Sequence, residues 1–135
     1  MAEKLYKPLL IDSIKATANL PKQRFVGFDG GVCTAGAKAY GVCDVETDLG
    51  QLAPVGVLGV LLVEAGGAIA QGASVASDAT GKAVTAIADS IETTIVGEGN
   101  DAVTTYSIKK GDAINGTAID TATAAGEVIR IVRGI

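Results

Sequence analysis

Gly81 and Lys82, behind the small-residue loop ASDATGKAV of residues 76–84, are the pair whose type and spacing first suggest chemistry. A phosphate cradle of the P-loop kind reads G-x-x-x-x-G-K-[ST]: its first glycine lets the backbone curl round the phosphates, and the hydroxyl after the lysine holds Mg²⁺. Aligned on Gly81 and Lys82, the first glycine falls on Ala76 and the hydroxyl on Ala83. Both requirements fail, and a hairpin is the better reading. Asp78-Ala79-Thr80-Gly81 carries aspartate at the first position of a turn and glycine at the last, where positive φ is tolerated. Lys82 then begins a strand, with its ammonium expected in solvent.

Other chemistries fare no better. The chain has no histidine, which removes the usual proton shuttle near neutral pH and the commonest metal ligand. Its two cysteines, Cys33 and Cys43, would pair only if their strands were adjacent, and buried reduced thiols are the commoner state in a chain made in a cytosol. The loop Gly97-Glu98-Gly99-Asn100-Asp101 offers oxygen ligands through Glu98, Asn100 and Asp101 but lacks the acidic spacing of an EF-hand. A lipoyl-type carrier presents its modified lysine at the tip of a turn, whereas Lys82 follows the turn glycine. These residues lead to no catalytic, cofactor or metal site, and no enzyme is expected.

The elements that would position such groups are thinly built. Apolar residues make up 48% of the 135-residue chain but aromatics only 4%, so the core is mostly Ala and Val, each burying little area. One domain is expected, with self-association or docking on a larger body compensating for the thin core. No basic segment followed by an apolar one opens the chain, and the most apolar run, 52–63, is too short to cross a bilayer by a helix and is broken by Pro54, Gly56 and Gly59. No membrane partner is expected. Residues 1–24 carry five cationic against two acidic side chains, a net +3, while 25–108 carry two against ten, a net −8, and 109–135 a net +1. The acidic body disfavours nucleic acid. The basic segment reads either as an arm lying on a neighbour's acidic surface or as a solvated terminus.

Turn signals recur at short intervals between brief Val- and Ile-rich segments, the pattern of a small all-β sandwich or barrel of hairpin strands with an extended N-terminal arm. Strands are expected at 24–28, 39–45, 55–64, 73–77, 82–86, 93–96, 113–119 and 127–133. Gly66, Gly67 and Gly72 bracket a tight connection. Helical alternatives arise at 9–18, where Leu10, Ile14 and Ala18 recur at spacing four, and at 121–125, a short turn stopped by Gly126. The Asn19-Leu20-Pro21 punctuation divides an arm, 1–23, from a β-rich domain, 24–135.

Five segments in order carry a resemblance: Arg24-Phe25-Val26; Gly41-Val42; the Val63-Glu64-Ala65-Gly66-Gly67-Ala68-Ile69 run to Gly72; the hairpin from Ser77 to Val84; and Ala118-Ile119-Asp120-Thr121-Ala122-Thr123-Ala124-Ala125-Gly126-Glu127 before the last strand. Together they make the chain resemble the capsid cement (decoration) proteins of tailed bacteriophages, with an acidic insertion at 91–106 as a departure. The resemblance implies a β-rich domain on the outer surface of an icosahedral head, made in the host cytoplasm and joined to the virion. Its partners would be the major capsid protein and further copies of itself, a homotrimer being favoured over a dimer. Lys4, Tyr6, Lys7 and Lys15 of the basic segment are the expected capsid or subunit contacts, with Tyr6 as the aromatic anchor. The alternative for Tyr6 is packing on its own domain. Competing functions are a head-fibre base, a tail accessory or a small β-sandwich carrier domain.

Overall fold

The run LAPVGVLGVLLVE forms the spine of the molecule, because its alternating aliphatic residues suit a strand with one face in the core. In the computed structural model, which describes residues 5–134, this run is β4 (Leu52–Glu64), with Ala53, Val55, Leu61 and Val63 buried. Before it come β1 (Lys7–Lys15), β2 (Phe25–Val26) and β3 (Gly41–Cys43). After it come β5 (Ser74–Ser77), β6 (Ala83–Thr85), β7 (Ser90–Val96), β8 (Val103–Lys109), β9 (Gly116–Ala118) and β10 (Val128–Arg133). The only helical element among the described residues is a single 3-10 turn, Gly99–Asp101.

One sheet runs β2-β3-β4-β10-β9-β5-β6, with β1 paired to β4 beside this path, and β7 and β8 form a separate two-stranded sheet. The ends of the large sheet approach each other. Phe25 N–H donates to Gly81 O, joining β2 to the β5–β6 turn, and a parallel bridge joins Ala65 to Ala83. The result is nearly a barrel. Phe25, Leu61, Val63, Val75, Ile129 and Ile131 fill it, and a second cluster packs Ala16 and Leu20 against Val26, Cys43, Ala53 and Val55. The all-β expectation therefore holds.

The expected β5–β6 hairpin is present, with Ser77 paired to Ala83. Asp78 Oδ1 accepts from the backbone N–H of Thr80 and of Lys82 at 2.8 and 2.9 Å, while Gly81 takes φ +80, as the turn chemistry requires. Two expectations are corrected and two readings are completed. Of the two readings of residues 9–18 the extended one holds, because Lys7–Lys15 finds a long antiparallel partner in β4. Residues 121–125 are not helical: Ala122 bridges to Ile69, and the Glu127 carboxylate draws the chain into a turn by accepting from the N–H of both Thr123 and Ala124. Lys82 is not free in solvent but lies 3.1 Å from Glu64 Oε2, which Arg24 also approaches at 3.4 Å. The strand expected at 93–96 is present and longer, and the insertion at 91–106 belongs to a seven-pair hairpin from Ser90↔Lys109 to Val96↔Val103.

The boundary drawn at residue 23 does not coincide with a boundary in packing. From Lys7 on, the basic segment pairs within its own chain, and Ala16 and Leu20 are core residues. Gly59 is the point of closest approach. Its φ is +105, and a Cβ there would lie 2.6 Å from both Lys7 O and Leu9 N, so only glycine lets β1 cross β4.

Candidate contact surface

Tyr6, Lys7 and Lys15 are set by the β1 ladder, and Lys4 lies outside the described residues. Lys7 pairs with Val60 and Lys15 with Leu52, at opposite ends of a nine-residue strand. At about 3.3 Å per residue these ends stand roughly 26 Å apart. The lysines are two separate positive points on an exposed strand and form no cluster. Tyr6 is half exposed, and its hydroxyl donates to Asp44 Oδ2 at 3.2 Å. The negative charge of Asp44, followed by that hydrogen bond, raises the phenol above its ordinary value. Tyr6 is thus tied to its own body while keeping much of its ring accessible.

A second tyrosine fastens the same strand from the other side. Tyr40 Oη donates to Asp12 Oδ2 at 2.6 Å, and this hydrogen bond is the largest cause of its raised pKa. The Tyr40 ring also meets Phe28, with centroids 5.4 Å apart and planes tilted by 55°. Phe28 is 67% exposed and so offers an aromatic contact that the sequence reading did not single out. The exposed face of the β1–β4 pair is apolar as well. Leu10 lies directly across from Leu58, both partly in solvent, and Leu9 is 83% exposed at a register irregularity.

The β7–β8 hairpin extends the strand expected at 93–96 and adds a partner strand that was not expected. All fourteen of its strand residues are exposed. Its pairing places Ile91 opposite Ile108, Thr93 opposite Tyr106 and Ile95 opposite Thr104 on one face. Ser90, Glu92, Thr94, Thr105, Ser107 and Lys109 share the other face, where Lys109 Nζ lies 3.6 Å from Glu92. The signal was available in the period-two alternation of IETTIV and VTTYSIK around GEGND. Asp112 fixes the base of the hairpin: its carboxylate accepts from Ile87 N–H at 3.0 Å, and its own N–H returns to Ile87 O at 2.8 Å.

Among the described residues, no group of three or more His, Cys, Asp or Glu side chains is placed to hold a metal ion. Cys33 and Cys43 are free and buried in different clusters, and burial raises both thiols. No described helix is long and apolar enough to cross a membrane.

A family model described as phage cement protein matches residues 8–133. The chain belongs to the phage cement protein family. No curated protein and no solved structure matches it. The match begins at Pro8, inside β1, so this cement-family chain includes in its family core most of the strand that composition had set apart as an arm. It also spans the whole β7–β8 hairpin.

Proposed function

We propose that this protein is a capsid decoration protein, docking on the outer surface of the icosahedral head and reinforcing contacts between major capsid proteins. The family match over residues 8–133 carries the reading. The near-barrel supports it, since a rigid body with exposed aliphatic and aromatic side chains is suited to adhesion and needs no reactive group. Repetition of modest contacts over a lattice supplies avidity. On this reading Lys4, Tyr6, Lys7 and Lys15 contact the capsid or a sister subunit, and a homotrimer suits threefold positions of the head.

The test is titration of purified protein onto bare heads, following bound copies and DNA release on heating. Saturable binding that raises the release temperature is expected, because a ligand of the intact shell stabilises it by mass action. Binding without that gain would leave only a surface-display role. Failure to bind heads, with co-purification on tails, would reassign the protein to a tail accessory.

A further inference from the structure

Two apolar surfaces of this chain are open among the described residues. One is the hairpin face of Ile91, Ile95, Tyr106 and Ile108, each between 66 and 79% exposed. The other is the β1–β4 face bearing Leu9, Leu10 and Leu58. The strands match in length, seven residues in each hairpin strand and nine in β1, and β1 is paired in a ladder on one side only among the described residues. Their charges are opposite. The hairpin, residues 90–109, carries Glu92, Glu98 and Asp101 against Lys109, a net −2, while β1 carries Lys7 and Lys15 against Asp12, a net +1. Glu98 and Asp101 at the tip, and Lys7 and Lys15 on β1, form no ion pair among the described residues. The hairpin leaves from β6 and returns to β9, whereas β1 lies on β4, and both faces stay open in the single chain.

We propose that the β7–β8 hairpin of one copy docks on β1 of a second copy, its apolar face covering Leu9, Leu10 and Leu58 and its acidic tip meeting a lysine at one end of the strand. This goes beyond capsid binding and does not depend on it. A two-stranded hairpin is marginal in water by itself, and a second copy supplies the packing that its own body does not. Hairpin and β1 are different surfaces, so every copy satisfies both either in a reciprocal twofold pair or in a larger closed ring. An apolar contact flanked by opposite charges gives both adhesion and register.

Sedimentation without heads tests the interface separately from head binding. The full chain should associate with concentration. A variant joining Ser90 to Lys109 through Asn-Gly, a two-residue hairpin turn, should be monomeric and melt near the temperature of the dilute full chain, because the excised strand residues are all exposed. Lys7→Glu with Lys15→Glu should weaken association about tenfold, Glu98→Lys with Asp101→Lys likewise, and the two sets combined should restore it. A full chain monomeric at millimolar concentration would overturn the proposal, as would hairpin-less protein that associates normally. Loss of head binding on hairpin removal from a chain that is always monomeric would assign this face to the capsid instead.

Discussion

Tyr40 and Asp12 are joined by a 2.6 Å hydrogen bond from the β2–β3 segment to the middle of β1, while Tyr6 reaches back from the chain start to Asp44 just after β3. The two donors sit on opposite partners, so β1 is latched by a phenol just before it and by one from the body. Both phenols are raised by their carboxylate neighbours. A raised value in the folded state means stability fully present below the ordinary tyrosine pKa of about 10 and lost as pH rises through the folded value. The buried thiols add a loss of the same sign, beginning lower. Tyr40→Phe should therefore reduce the alkaline decline of the melting temperature above about pH 10 without abolishing it, as read in thermal melts across pH.

Deletion of residues 1–20 is expected to unfold the protein or destabilise it severely. It removes the whole β1–β4 ladder and takes Ala16 and Leu20 out of the core. Loss of a single buried leucine side chain costs about 2–5 kcal/mol, which sets the scale for Leu20→Ala alone. Denaturant unfolding of both variants checks this; a cooperative, native-like truncated body would show that β1 is dispensable.

Arg133 holds the last strand with neutral acceptors. Its guanidinium donates to Val57 O, Asn115 O, Ala39 O and Tyr40 O at 2.7 to 3.3 Å, and burial lowers its pKa. Asn115, itself 3% exposed, adds bonds from Ala39 N–H and to Ala37 O. Arg133→Met leaves several carbonyls unpaired, and Asn115→Ala leaves the Ala39 N–H unpaired and Ala37 O with only the weak Cys33 thiol donor. Each should cost about 1–3 kcal/mol in denaturant unfolding.

Cys33 and Cys43 are 1% and 0% exposed. In native protein both should resist a thiol reagent, and modification should proceed at the rate of structural opening, accelerating when denaturant is added. Rapid labelling of either cysteine in buffer would show that its cluster opens easily.

Glu64 is the shared acceptor where β2, β4 and β6 meet, facing Arg24 and Lys82. Glu64→Gln should lower stability by about 1 kcal/mol and make it less sensitive to salt, since it removes the charge that both cations share. Melts at low and high salt distinguish this from loss of packing, which salt would not reduce.

Local residue patterns are enough for the strand-rich class, the β5–β6 turn and the family pattern. Asp78 and Gly81 specify their turn within four residues, and a two-residue side-chain period is visible wherever one strand face is buried. Tertiary structure decided what those strands pair with. Lys7–Lys15 is mostly exposed, so its sequence lacks the alternation that burial imposes, and only the free edge of β4 makes it a strand. Lys82 found Glu64 because barrel closure brings β6 against the end of β4, a contact between residues eighteen apart that no local spacing encodes. The short helical turn expected at 121–125 was overridden by Ile69 and Glu127, since its few residues gain more from a distant bridge and a carboxylate clamp than from one helical hydrogen bond.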